Sequence, residues 1–324
     1  MQERGIDDER QRNFLGGLAR LSYRDVVPKS QIASEPYDAS QNLTLFLHRD
    51  MNAKPSNSSF MIRVCVAGAT GWTGSAVTKA VLASSEFELS GAVARKRAGD
   101  DVGSVLGLPG AGVTISSDLK DVSSKNTDVL IDYTDPATVK ERVLQTLRQG
   151  VRVVVGTSGM TAADYADIDR EAQSHGLGVI AAGNFSITAA LAKHCALLAA
   201  RHLPSWEIVD YADANKIDAP SGTARELAEE LAAVAENAKA VSISDTVGAK
   251  DARGADIAGT QVHSLRLPGY VISFETIFGL PDERLTIRHD AGAGAEPYVA
   301  GTLLAAKKVM QTTGVVRGLD RLLF

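Results

Sequence analysis

The run Gly68-Ala69-Thr70-Gly71-Trp72-Thr73-Gly74 is a G-x-x-G-x-x-G loop set between the apolar stretch Ile62–Ala67 and a helical pattern. Glycines at such a turn let the backbone approach a diphosphate, and the helix start behind them adds N–H donors and partial positive charge. All seven residues are therefore expected in a dinucleotide site. The next apolar run, Leu89 to Ala94, leads into Arg95-Lys96-Arg97, with no acid before Asp100. A cation there suits a 2′-phosphate, whereas an acid would suit a free 2′-hydroxyl, so Arg95 and Lys96 predict NADPH, with NADH still admitted. Gly156-Thr157-Ser158-Gly159 and Ala182-Gly183-Asn184-Phe185-Ser186 each follow another strand of the same sheet. Ligands of doubly wound folds bind beyond the carboxyl ends of strands, which places Gly156, Thr157, Asn184 and Phe185 near the nicotinamide half. The fourth segment, Lys216-Ile217-Asp218-Ala219-Pro220-Ser221-Gly222-Thr223-Ala224, precedes a clear helix. Ser221, Gly222 and Thr223 would present backbone and hydroxyl donors to a carboxylate. Lys216 could pair with an anion or donate a proton, with Asp213 or Tyr211 as substrate ligand.

Elements of regular length must position these residues. The spacing predicts helices over about 73–84 and from Asp135-Pro136, and strands over 128–133, 151–155 and 177–182. Thr161-Ala162-Ala163-Asp164 reads as a capping box for a further helix. Strands alternating with helices imply a Rossmann-type, doubly wound parallel α/β sheet. After Asn184 the rhythm changes. Helices over about 187–202 and 221–236 flank a strand near 206–211, and three strand-like runs follow over 261–267, 271–278 and 284–289. Successive strands without helices predict an open, mostly antiparallel mixed sheet in an α+β substrate and oligomerisation domain. A last helix, over 301–312, is expected to return to the first domain. The domains are then 61–183, completed by 301–324, and 184–300.

Residues 1–60 are polar, lack sustained periodicity and read as a disordered N-terminal extension without the features of a signal or transit peptide. The 324 residues carry a net charge of −5 with 5% aromatics, which argues against nucleic acid as a partner. No apolar run approaches the roughly 18 residues of a membrane span. Two cysteines, Cys65 and Cys195, both read as packing residues and fit a cytoplasmic chain, and six His give no metal-ligand spacing. No Tyr is followed by Lys four residues later, which sets aside the short-chain dehydrogenases.

Taken in order over about residues 62–323, the glycine loop, the Gly156–Gly159 turn, Asn184-Phe185-Ser186 and the Lys216–Ala224 segment resemble the 4-hydroxy-tetrahydrodipicolinate (dihydrodipicolinate) reductase family. His263-Ser264-Leu265-Arg266 and Leu285-Thr286-Ile287-Arg288-His289 extend the likeness. The resemblance implies a Rossmann domain, a substrate domain whose open sheet builds a homotetramer, and reduction of a small cyclic dicarboxylate by NADPH or NADH. It also makes Lys216 the catalytic lysine and Ser221, Gly222 and Thr223 the substrate-carboxylate loop.

The chain departs from the family's usual pattern at the chemistry. Ala212 and Asp213 stand where a His-His pair is usual, an arginine is missing after His289, and Trp72 stands where a basic residue often follows the second glycine. Asp210, Asp213, Asp290 and Glu296 would oppose a dianion, since two charges 4 Å apart at an effective dielectric of about 20 interact by about 4 kcal/mol. The expectation is an NAD(P)H-dependent reductase of a C=N or conjugated C=C bond with a changed substrate. The alternatives are the family's own lysine-pathway reaction, an imine reductase or amine dehydrogenase, and a non-catalytic NADPH-binding protein.

Overall fold

Apart from Arg63, the strand Ile62–Ala67 (β1) is a run of β-branched and small residues, and from Val64 on it is buried on both faces, as a central parallel strand must be. Its side chains divide by parity. Val64 and Val66 enter one apolar core, with Val77 and Val81 of helix Trp72–Leu82 (α1) and Ala305 and Ala306 of helix Glu296–Lys308 (α7). Cys65 and Ala67 enter the other core, with Val143 and Leu147 of helix Val139–Arg148 (α3) and Ile168 of helix Ala162–Ser174 (α4). Burial pushes the Cys65 thiol up to about 12, so it packs as an apolar group. This double covering is the physical meaning of a doubly wound sheet. The chain is seen here as a computed structural model that describes residues 61–120 and 122–324. The extension expected over residues 1–60 lies outside the described residues.

The first sheet has seven strands in the order β12-β6-β5-β4-β1-β2-β3. Its further members are Phe87–Val93 (β2), Ile115–Ser116 (β3), Val129–Asp132 (β4), Arg152–Val155 (β5), Gly178–Ala181 (β6) and Gly314–Arg317 (β12). All its pairings are parallel. The capping box of α4 forms as expected: the Thr161 hydroxyl accepts from the Asp164 amide, and the Asp164 carboxylate accepts from the Thr161 amide. The short helix Val102–Val105 (α2) follows β2.

The second sheet runs β11-β10-β7-β9-β8, from Glu283–Asp290 (β11), Ile272–Leu280 (β10), Ser205–Ala212 (β7), Thr260–Arg266 (β9) and Ala255–Ile257 (β8). The sheet is mixed and mostly antiparallel, as expected, with β7 and β9 pairing in parallel at the centre. Parallel neighbours need a crossover, and helix Gly222–Val234 (α6) supplies it. Together with helix Ile187–Ala200 (α5), α6 covers the sheet face that carries Trp206, Ile208, Phe274 and Phe278. The opposite face carries half-buried Val209, Leu265 and Ile277 and no helix among the described residues. Cys195 corrects one expectation, being exposed on α5.

Beyond β11 the chain returns to the first sheet. Helix α7 starts at Glu296 instead of near Gly301, because Pro297 lies in its first turn, where proline's missing N–H costs nothing. Strand β12 pairs with β6, and the short helix Asp320–Leu323 (α8) follows.

Candidate active site

Gly68 follows β1 at φ +84°, and a Cβ there would lie 2.1 Å from the Tyr133 carbonyl oxygen. At Gly74 a Cβ would lie 2.0 Å from the Gly68 oxygen. These glycines let the turn fold tightly against the start of α1. Gly71 is the N-cap and makes no side-chain cap hydrogen bond, so the amides of Trp72, Thr73 and Gly74 are left for an outside acceptor. The Ala69 amide is already taken by the Val93 carbonyl. Trp72 is 54% exposed, and its ring meets the Tyr298 ring edge-on at 5.7 Å.

A cleft of about 640 Å³ opens over this turn, lined among others by Gly68, Thr70, Gly71, Arg95, Lys96 and Asp135. The cation run divides at its mouth. Arg97 turns away to Asp100 at 2.5 Å, Arg95 reaches Asp135 at 3.6 Å, and Lys96 has no carboxylate partner among the described residues. A dinucleotide fits these features: a backbone cradle that a Cβ would fill, uncapped amides behind it, and two cations at the far end.

The turn after β5 has a different use for its side chains. The Thr157 hydroxyl donates to Asp132 Oδ1 at 2.7 Å and accepts from the Thr134 amide at 2.8 Å. Asp132 is fully buried and pairs with Arg142 Nε at 2.8 Å. Thr157 therefore has only its backbone to offer a cofactor. At Gly156 a Cβ would stand 2.1 Å from the Tyr133 ring. That ring is edge-on to Phe185, and its hydroxyl is 2.6 Å from Thr302 Oγ1. Phe185 is 1% exposed, so it too offers backbone. Asn184 accepts from the Ser186 amide at 2.8 Å and shares a narrow cavity with Thr223.

In the second sheet Asp210 is fully buried. It accepts from the Ser221 amide at 2.8 Å, from Ser264 at 3.2 Å and from Arg266 at 2.8 Å. Arg266 also donates to the Asp218 carbonyl at 2.7 Å, so one ion pair holds both ends of the 218–221 turn. The Ser221 hydroxyl caps α6 through the Ala224 amide at 3.3 Å. The Ser221 amide is taken by Asp210, but its hydroxyl accepts in the cap and keeps its own O–H, so that O–H, the amides of Gly222 and Thr223 and the Thr223 hydroxyl are the donors left at the helix start. Lys216 lies on the same loop, with Nζ 2.7 Å from Asp218. Asp213 accepts from the Asn215 backbone and side-chain amides at 2.9 Å each, and these bonds hold its carboxyl below the usual range.

Two expectations change here. Tyr211 does not join Lys216: the register places it opposite Ser273, on the sheet face away from α5 and α6. There its hydroxyl donates to Glu275 at 2.8 Å, and Arg288 lies 4.8 Å over its ring. The surplus of negative charge is also smaller than four carboxylates suggest. Asp210 is neutralised by Arg266, and Asp290 by Arg288 at 2.8 Å. Sequence reasoning missed Asp210, Arg266, Asp132 and Arg142 as site-builders. A buried-strand Asp and a short-range Arg were visible, but nothing local pairs residues 56 positions apart.

Comparison with known proteins joins both halves. The family description "Dihydrodipicolinate reductase, N-terminus" matches residues 62–185, and "Dihydrodipicolinate reductase, C-terminus" matches residues 185–323. The 4-hydroxy-tetrahydrodipicolinate reductase of Moorella thermoacetica is 41% identical over 263 residues, covering 81% of this chain and 98% of its own length. That of Carboxydothermus hydrogenoformans is 38% identical, covering 82% and 100%. The dipicolinate-bound dihydrodipicolinate reductase of Paenisporosarcina sp. TG-14 superposes with a TM-score of 0.70 at 31% identity, over 81% of this chain and 99% of that one. An amine dehydrogenase from Mycobacterium smegmatis shares the fold at 18% identity, with a TM-score of 0.57 over 82% of this chain and 96% of its own. Matched from the first strand to the last helix, the chain belongs to the dihydrodipicolinate reductase family and is an NAD(P)H-dependent reductase.

Proposed function

We propose that the chain is a genuine 4-hydroxy-tetrahydrodipicolinate reductase of lysine biosynthesis, rather than a relative with a changed substrate. The observation that carries this reading is the Asp210–Arg266 pair. The carboxylate that would have repelled a dianionic substrate is instead the brace of the Ser221 turn. The relatives at 38% and 41% identity bear that enzyme's name over nearly their full length, which supports the same choice.

Each residue then has a task. The Ser221 hydroxyl and the Gly222 and Thr223 donors hold one substrate carboxylate. The Lys216 ammonium sits within reach of the same turn and supplies the proton or the compensating positive charge. Asp213, kept ionised by Asn215, faces the protonated ring nitrogen of a cyclic imine. A bound reduced nicotinamide supplies the hydride. The backbones at Gly156, Thr157, Asn184 and Phe185 orient its ring, and Trp72 screens the diphosphate from water. Arg95 and Lys96 favour NADPH over NADH. The uncovered face of the second sheet is the contact through which copies assemble.

The test is NADPH oxidation with freshly generated cyclic substrate, alongside complementation of a bacterial strain that lacks this reductase. Turnover and rescue are expected. Absence of both, with turnover of cyclic imines that lack carboxylates, would restore the changed-substrate reading.

A further inference from the structure

One buried ion cluster has no part in the roles above. Lys193 of α5 is 9% exposed, and its Nζ lies 3.1 Å from Glu226, 2.9 Å from Glu230 and 2.9 Å from Asp320. Glu226 and Glu230 lie one turn apart on α6, and Asp320 begins α8, so a single ammonium joins three helices. Burial alone would depress that ammonium, but the three carboxylates hold it above the ordinary lysine value. Removing one partner of such a buried set leaves uncompensated charge and forces the others to move.

The location gives the cluster its meaning. Lys193, Glu226 and Asp320 line the same narrow cavity as Gly183, Asn184 and Thr223. Glu226 follows Thr223 by three residues, so it sits on the α6 face directly behind the carboxylate donors. Its Oε2 lies 3.0 Å from the point a Cβ on Gly183 would occupy, and Lys193 Nζ lies 3.2 Å from the same point at Gly318. The cluster thus touches the helix carrying the substrate donors, the loop after β6 that carries Asn184, and the loop after β12.

We propose that Lys193 is a positioning residue. By tying Glu226 and Glu230 to Asp320 it fixes the start of α6 against the loop after β6, so that Gly222 and Thr223 present their donors to the nicotinamide side. The proposal rests on the reading of that turn as the substrate-carboxylate site. It assigns Lys193 no contact with substrate.

The full chain is compared as wild type, Lys193→Met and Lys193→Arg, by steady-state kinetics and by amide hydrogen exchange of the NADPH-bound proteins. Losing one well-aimed hydrogen bond to a charged carboxylate weakens binding about tenfold or more. In Lys193→Met the substrate KM is therefore expected to rise about tenfold or more, with NADPH affinity unchanged. Exchange over residues 222–227 accelerates, and Lys193→Arg restores both readouts. An unchanged KM and unchanged exchange in a folded Lys193→Met protein overturns the proposal, as does an equal loss of NADPH affinity. Should Lys193→Met not fold, Glu226→Gln, which keeps the Lys193 contacts to Glu230 and Asp320, is judged on the same two readouts. Exchange needs no turnover. Wild type inert on the cyclic dicarboxylate would therefore count against the proposed function alone, leaving exchange to decide on Lys193.

Discussion

On the proposed reading the chemistry turns on Lys216, the cation of the donor loop, whose Nζ lies beside Asp218. Replacing it with alanine should lower kcat by roughly 10²–10⁴, the usual worth of a positioned acid, with NADPH affinity retained. Full turnover by Lys216→Ala would remove it from the mechanism. Lys96 makes a separable prediction at the far end of the cleft. A hydrogen bond to a charged group contributes about 1.5–3 kcal/mol, so Lys96→Ala should raise the KM for NADPH about tenfold or more and barely change that for NADH. Equal effects on both cofactors would dissociate Lys96 from the 2′-phosphate. His289 links a residue to pH. Burial lowers its pKa below 6.5, and its Nδ1 is 3.2 Å from Thr188 Oγ1. As pH falls through 6.5 the unfolded chain takes up a proton that the folded one resists, so this contribution to stability is present above that pH and declines below it. Urea titrations at pH 5.5 and 7.5 should show a smaller difference between the two pH values in His289→Gln than in wild type. Equal differences would refute the assignment.

Among the elements, α1 depends closely on one glycine. A methyl at Gly74 would meet the Gly68 carbonyl, which is backbone and cannot swing aside. Gly74→Ala should therefore push α1 away from β1 and weaken NADPH binding by about tenfold or more, the worth of one lost hydrogen bond to a charged diphosphate, measured by fluorescence titration. Wild-type affinity would mean that the turn relaxes without harm. This element was readable from sequence because its signals are local: a β-branched strand, glycines in series and a helical repeat. The capping box at Thr161 and Asp164 was readable for the same reason. Strands β3, β8 and β12 are two to four residues long and carry no repeat to detect. The Asp210–Arg266 brace joins two strands through the second sheet and has no local trace. Tyr211 shows the reverse limit. Its nearness to Lys216 in sequence was real, but strand parity turned it to the other face.

At the scale of the molecule, the uncovered face of the second sheet carries Val209, Leu265 and Ile277 between the Glu207–His263 and Glu275–Arg288 pairs. Such a mixed apolar and paired-charge surface suits contact with a second copy. Val209→Lys should lower the mass seen by light scattering while α1 and its cleft keep their NADPH affinity. An unchanged mass would count against assembly through this face. The order of the strands carries one more consequence. The β6 edge receives its neighbour β12 only after more than a hundred intervening residues have been made. While that stretch emerges from the ribosome, β6 stands as a bare template of N–H and C=O groups, the kind of edge that captures foreign strands. The nucleotide sheet is thus begun first and sealed late, and slow synthesis between β6 and β12 lengthens the interval in which nascent chains can aggregate.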